Sequence, residues 1–377
     1  MKYIGLSLAL GFLATFIGTP YAREYLLSSG IYGIDQQKKD KPKLATSGGI
    51  AVVFGFIISL TTYLGLISFA SATGSQISLL LAALASVCII TLIGLVDDIH
   101  INLEKFVRDE TDEKDFKFNV ETKDYGEKPL SRIWDKITFF EGDKDEKKED
   151  ELHRKGLRQN FKMLFVLPAV LPLIAVDAGS SVMNLPLIGT IEWGLFYPLL
   201  LLPIGLLFVS NVVNMLAGTN GLSTGMSMIA SFYLGLFAYI NGEVAGTVIA
   251  WSLTASLLAF IYYNFYPASI LPGDSLTYLC GAAIFSAMVV GNMEKFGVFL
   301  FIPWIAEFFL KLRSGFQAHS WGIIQEDRTL QSQHEKIYSL THPLMNKGLN
   351  EKQITLTLMS VEIIIGAVGI VIFTTLI

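Results

Sequence analysis

Ten apolar runs, each near the length needed to cross a bilayer, constrain this chain more than any other feature. A window of about 19 residues places them near 4–18, 48–70, 77–96, 163–178, 193–213, 222–240, 244–263, 275–291, 296–312 and 354–377. At 1.5 Å rise per residue, about 20 residues cover a hydrocarbon core of about 30 Å. The fourth and ninth runs are the shortest. Pro168 and Pro172 fall in the fourth, where a membrane helix tolerates a kink. Asn241-Gly242-Glu243 divides the sixth run from the seventh, because lipid would not accept that polar turn. The fold class expected is an all-α integral membrane protein of about ten transmembrane helices, one polytopic domain over residues 1–377. Composition agrees: 52% of residues are hydrophobic and 16% charged, against about a quarter charged in soluble proteins.

Charge is unevenly spread. Between Leu103 and Asn160 there are 17 acids and 14 bases, so this stretch holds 31 of the 61 charged residues. Residues 103–160 are expected to form a solvated cytoplasmic insert within the membrane domain. The basic residues also set the orientation. With the N-terminus outside, 26 of the 28 Lys and Arg fall on the cytoplasmic side, leaving only Lys2 and Lys295 outside. That bias predicts an N-out, C-out topology in a cell membrane. The first run has the lysine, apolar stretch and small-residue end of a cleaved signal peptide. However, Arg23, Lys38, Lys39, Lys41 and Lys43 follow it, which favours a retained span.

Five inner segments result: Thr19–Ser47, Asp97–Lys162, Asn214–Gly221, Asn264–Asp274 and Arg313–Lys352. The outer loops are short and plain, so an active site is expected on the cytoplasmic face. Cys88 and Cys280 both lie in apolar runs, which argues against a disulfide framework or a thiolate metal site. The basic residues do not form an aromatic-interleaved patch, and no nucleic-acid partner is expected.

The inner ends of the spans carry the polar motifs. Asp97-Asp98 closes the third span. Adjacent carboxylates so near lipid are either a solvated helix end or a hard-oxygen site for Mg²⁺ or phosphate chemistry. Asn211 and Asn214, three residues apart near the end of the fifth span, would share a helix face. Gly218 and Gly221 follow, and would allow close backbone approach to a ligand; Asn and Gly are also ordinary loop formers. Tyr263-Asn264-Phe265-Tyr266-Pro267 leads to Leu271-Pro272-Gly273-Asp274. Asp274 could be a helix N-cap or could present its carboxylate to a cation. Lys162, at the start of the fourth span, could be a snorkelling interface lysine, and His319 is ambiguous alone. Glu307 and Glu362 lie within spans, with pairing or packing as their default role. Polar groups gathered at one interface fit phosphoryl transfer better than a transport path, which would place ionisable groups near the midplane.

Three motifs carry a resemblance over nearly the whole chain. They are Gly94-Leu-Val-Asp97-Asp98, Asn211-Val-Val-Asn214-Met-Leu-Ala-Gly-Thr-Asn220-Gly-Leu, and Tyr263-Asn264-Phe-Tyr-Pro followed by Gly273-Asp274-Ser. With them the chain resembles the polyprenyl-phosphate N-acetylhexosamine-1-phosphate transferases. It is most similar to their eukaryotic and archaeal branch, which acts on UDP-GlcNAc and dolichyl phosphate. The middle motif and Ser339-Leu-Thr-His342 match that branch, whereas the bacterial phospho-MurNAc-pentapeptide transferases carry Asp-Gly-x-Asp-Gly and a histidine-rich late loop. The lysine- and acid-rich loops fit an archaeal source.

The resemblance implies roles. Asn214 and Asp274 would hold Mg²⁺, with Mn²⁺ the alternative cation. Asp97 and Asp98 would lie beside it, one aiding deprotonation of the lipid phosphate. Lys162 would pair with phosphate charge, and His319 would belong to a sugar or phosphate loop of which only the histidine is retained. Asn211, Gly218, Asn220, Asn264 and Leu271 would face the substrate, with Gly218 and Asn220 on the uracil. Leu271 stands where the eukaryotic enzyme stacks an aromatic ring. The eukaryotic enzyme also joins its Asp-Asp pair to the lysine in about ten residues, where this chain inserts Ile99 to Phe161.

The implied reaction moves GlcNAc-1-phosphate from UDP-GlcNAc to a polyprenyl (dolichyl) phosphate, directly or through an aspartyl-phosphate. Membrane lipid and a second copy of the chain are the other implied partners. A different UDP-HexNAc donor, a transporter or flippase, and a lapsed relative acting as scaffold are the competing readings.

Overall fold

The computed structural model describes residues 3–69, 74–99, 166–185 and 189–375. Lys162 and the 103–160 insert lie outside them. The described residues hold eight helices long and apolar enough to cross a membrane, and the chain is a multi-pass membrane protein. They are Ile4–Ser28, Gly49–Ser68, Gly74–Asp98, Tyr197–Met215, Leu222–Ile240, Val244–Asn264, Gly273–Val290 and Glu351–Thr375.

The two runs expected to be short are also the two that do not form one long helix here. The described part of the fourth is a 3₁₀ turn, Leu167–Val170, followed by the five-residue helix Leu171–Ala175. Pro168 and Pro172 open these two pieces, as expected of a residue with no N–H to donate. The ninth run is divided into Glu294–Leu300 and Ile302–Leu312, with Pro303 in the first turn of the second piece. The architecture is not purely helical. Among the described residues three two-stranded antiparallel hairpins join the helices, at Tyr32–Ile34 with Lys43–Ala45, Val182–Leu185 with Gly189–Glu192, and Ile323–Ile324 with Leu330–Gln331. A backbone leaving a helix must still satisfy its N–H and C=O groups, and short ladders do this locally.

The Gly273–Val290 helix is the hub. Within its apolar window 89% of residues are buried, against 22% for both the first and last long helices. It packs on Gly74–Asp98, Leu202–Met215 and Val244–Asn264. Without a strong hydrophobic force between helices in lipid, small residues that permit close packing matter most. Gly94 illustrates this: a Cβ there would lie 2.7 Å from the Asp274 carbonyl oxygen and from the Ser275 Cα. The outer helices expose Ile17, Tyr21, Ile364 and Val371, a surface suited to acyl chains rather than water.

Contacts bring residues of the segments expected to be inner together at one end of the bundle. Ser47, Asp98 and Asp274 meet there. Leu271 donates its N–H to the Ala45 carbonyl at 2.7 Å, and Asn220 reaches Asp35 at 2.9 Å. At the opposite end Tyr197 donates to Glu294 Oε1 at 2.7 Å.

Candidate active site

The first helix of the site ends in adjacent carboxylates that do different things. Successive helical residues point about 100° apart, so Asp97 and Asp98 cannot share one environment. Asp98 reaches the start of the Gly273–Val290 helix. Its Oδ1 accepts the Asp274 N–H at 2.7 Å, and its Oδ2 accepts the Ser275 N–H at 3.0 Å and the Ser47 hydroxyl at 2.9 Å. The first N–H groups of a helix have no partner of their own, and a carboxylate satisfies them while favouring the positive end of the helix dipole. Asp98 is therefore a cap supplied from another helix. The N-cap residue itself is Pro272, which makes no side-chain cap. Asp274 stands in the first turn, so the capping role that its position allowed is filled by Asp98.

Asp97 is buried, with 4% exposure, and lies within electrostatic reach of Tyr278. The Tyr278 hydroxyl lies beside the Asn214 side chain and within electrostatic reach of Asp274, Asp97 and Asp98. One phenol thus gathers four of the residues singled out in the sequence. Tyr278 was missed there, yet it lies four residues after Asp274, one turn along the same face. That spacing was a readable signal.

Asn211 donates to the Leu207 carbonyl of its own helix at 2.7 Å, so its amide N–H is engaged one turn back. Asn264 is fully buried. Its Oδ1 accepts from Thr224 at 2.6 Å and its Nδ2 donates to the Ile270 carbonyl at 2.9 Å. It ties the loop before Leu271 to the helix after Gly221, and would act on a substrate through that loop. Leu271 is stitched by its backbone to Ala45 and Gly48.

Gly218 and Asn220 sit in a second polar network. Gln37 Nε2 donates to the Gly218 carbonyl, and Asn220 Nδ2 donates to Asp35 Oδ2 at 2.9 Å. Glu351, at the start of the last helix, accepts the Asn220 N–H at 2.9 Å and pairs with Lys38. Lys38 also lies 3.1 Å from Asp35 and over the Tyr266 ring at 4.5 Å. None of Asp35, Gln37, Lys38 or Glu351 was singled out in the sequence as a site residue. Their partners lie up to 313 residues away, beyond any local pattern.

His319 is exposed and packs against Trp321, with ring centroids 5.1 Å apart. Partial burial, then Lys311 and His334, hold its imidazole below the usual histidine value. Its loop meets the central motif through Ser320, whose hydroxyl lies 3.0 Å from the Met215 carbonyl. A Cβ on Gly218 would lie 2.5 Å from the Ser320 carbonyl oxygen.

Among the described residues no three His, Cys, Asp or Glu converge as a metal cage. Mg²⁺ is usually bound by only one or two carboxylates together with substrate phosphates. Were a cation to bind here, the Asp274 and Asp97 carboxylates and the Asn214 amide, all near Tyr278, would be the hard oxygens on offer. Asp98, with three donors already on it, has little capacity left for a cation.

Comparison with known proteins adds a family. The profile of glycosyl transferase family 4 matches residues 145–292. A Saccharolobus solfataricus protein provisionally named as a UDP-N-acetylglucosamine–dolichyl-phosphate N-acetylglucosaminephosphotransferase is 30% identical over 374 residues, 98% of this chain and 97% of its own. A Sulfolobus acidocaldarius protein with the same provisional name is 28% identical, covering 97% and 95%. The Dictyostelium discoideum protein bearing that name is 22% identical, over 78% of this chain and 68% of its own.

Proposed function

The chain belongs to glycosyl transferase family 4, and from that premise we propose that it transfers GlcNAc-1-phosphate from UDP-GlcNAc to a polyprenyl phosphate of the dolichyl type. The observation that carries this reading is the gathering of Asn214, Asp274, Asp97 and Asp98 around Tyr278, at the end of the bundle where Asn220 and His319 also lie. A lipid-phosphate oxygen attacks the β-phosphorus of the donor. The new P–O bond gives lipid-diphosphate-GlcNAc, and the bond to the bridging oxygen breaks, so that oxygen leaves on UMP.

Phosphoryl transfer depends more on positioning and charge neutralisation than on covalent help from the protein. A phosphomonoester has a second pKa of about 6, so the acceptor is already nucleophilic near neutral pH. Asp97 then serves through its charge and placement more than as a base. Asp274 and Asn214 would hold Mg²⁺, with Mn²⁺ the alternative; the ion would neutralise diphosphate charge in a medium of low dielectric. Asp98 fixes the helix that presents Asp274. Gly218 and Asn220 contact the uracil, with Asn211, Asn264 and Leu271 shaping that side. Lys162 pairs with phosphate charge, and His319 acts on the sugar or phosphate. The site faces the cytoplasm of an N-out, C-out protein, and the chain works as a homodimer.

The test is transfer of label from UDP-[³H]GlcNAc to dolichyl phosphate by purified protein, with and without Mg²⁺, while UMP is assayed. Cation-dependent lipid labelling with stoichiometric UMP is expected. Labelling from another UDP-HexNAc alone would change the donor, and no labelling by folded protein from any of them would overturn the reaction.

A further inference from the structure

Glu307 lies in the Ile302–Leu312 helix, fully buried, and nothing above gives it a task. A carboxyl removed from water is costly unless its oxygens find donors, and here they find donors from two separate loops. Oε2 accepts the Leu340 N–H at 2.7 Å and the Ser339 hydroxyl at 3.1 Å. Oε1 lies 3.2 Å from the Ser320 hydroxyl. Lys311, one turn along the same helix, is 3.8 Å from Oε1 and donates to the Ala318 carbonyl. The two loops are also tied to each other. Thr341 donates to the Ser320 carbonyl at 2.6 Å, and His342 Nε2 is 2.8 Å from the His319 carbonyl.

Ser320 is where this assembly meets the central motif. Its hydroxyl is 3.0 Å from the Met215 carbonyl, and its own carbonyl abuts Gly218. Both His319 and Trp321 flank it in the chain. Fixing Ser320 therefore fixes where those two rings emerge beside the Asn214–Gly221 segment.

We propose that Glu307 is a positioning residue: its buried carboxyl clamps the His319–Ser320 and Ser339–Leu340 loops together and holds them against the end of the Leu202–Met215 helix. The inference rests on the transferase reading for its catalytic consequence, but the clamp itself does not.

The geometry also says which replacement preserves the clamp. A single Ser320 proton cannot serve both Met215 and Glu307. In Glu307→Gln an amide N–H at the Oε1 position can donate to the Ser320 oxygen, leaving the serine proton for Met215. The amide oxygen still accepts from Leu340 and Ser339. Glu307→Ala removes every link.

The experiment compares full-length wild type, Glu307→Gln, Glu307→Ala and the milder Ser320→Ala, each purified in lipid nanodiscs. It measures kcat and KM for UDP-GlcNAc, with hydrogen exchange at residues 318–322 and 338–342. Misplacing groups by about 1 Å costs up to about a hundredfold in rate. Glu307→Ala should lose at least about tenfold in kcat/KM and lose exchange protection at Leu340. Ser320→Ala should lose activity in the same direction by less, which keeps the test valid if the Ala variant fails to fold. Glu307→Gln should stay within about threefold of wild type.

Lost protection with unchanged kinetics would overturn the positioning role, and so would Gln behaving like Ala. Unchanged protection in Glu307→Ala would overturn the clamp. A wild type inactive with every UDP-HexNAc would sink the transferase reading instead, while exchange at Leu340 still decides whether the clamp exists.

Discussion

Asp98 caps the helix that carries Asp274: its Oδ1 accepts the Asp274 N–H at 2.7 Å, across 176 residues of sequence. Asp97, its neighbour in the chain, is buried within electrostatic reach of Tyr278. One of two adjacent aspartates thus holds a helix, while the other is proposed to face the reaction.

Substitution should separate them. Losing a carboxylate cap and stranding the amides behind it costs about 1–3 kcal/mol. Asp98→Ala is expected to lower the unfolding midpoint and activity together. Asp97→Asn should keep the midpoint within a degree or two and lose kcat about a hundredfold or more with little change in KM. Thermal unfolding alongside steady-state kinetics reads both. An Asp97→Asn loss carried by KM alone would contradict the assignment.

Gly273 is expected to be intolerant of even one carbon. Its φ is +68°, and a Cβ would lie 2.3 Å from Asp98 Oδ2 and 2.7 Å from the Ser47 nitrogen. An L-residue is strained in that conformation, and here it would also push the cap away. Gly273→Ala should cost at least about 1 kcal/mol and most of the transfer activity. A fully active, equally stable variant would show that the cap does not govern Asp274.

Lys38 is the cation between Asp35 and Glu351. Removing one partner of a buried ionic cluster costs about 3–5 kcal/mol, because charge is left without compensation. Lys38→Met should destabilise the protein by that order and weaken UMP binding through Asn220, which both acids hold. Calorimetric titration with UMP at a temperature where the variant remains folded would show it. Wild-type UMP affinity there would detach the cluster from the nucleotide.

His342 gives a pH dependence with a definite sign. Its ring is buried, with Nδ1 accepting the Tyr338 N–H at 3.2 Å and Nε2 at 2.8 Å from the His319 carbonyl. Only the neutral ring with its proton on Nε2 satisfies both. Burial, the largest influence, holds its pKa below the ordinary 6.5, as it does for His319. The unfolded chain then binds more protons as pH falls, so the stability is present above about pH 6.5 and is lost on acidification through the folded value. Wild type should unfold at a lower temperature at pH 5.5 than at pH 7.5. His342→Gln should start lower but show a flatter pH dependence. Equal slopes for the two proteins would remove His342 as the source.

Much of this was readable from residue order. The apolar runs depend only on length and hydropathy, and eight of them form unbroken long helices. The prolines in the fourth and ninth runs sit where those runs are broken into shorter pieces. Asp97, Asn214 and Asp274 could be singled out because polar side chains are conspicuous at the ends of apolar helices. Tyr278 was legible too, one helical turn from Asp274.

What only the tertiary structure decided is which of two like neighbours does what. Asp97 and Asp98 are chemically identical, and their roles diverge because the Asp274 and Ser275 amides engage the carboxylate of Asp98, while Asp97 is buried within electrostatic reach of Tyr278. Likewise Asn264 looks like a ligand-facing amide in sequence, but Thr224 and Ile270 enclose it. Glu307 reads as a stray charge in an apolar run until Leu340, Ser339 and Ser320 supply its donors. A carboxylate's function is set by the donors within about 3 Å of it, and those donors come from chain segments whose distance in sequence carries no local signal.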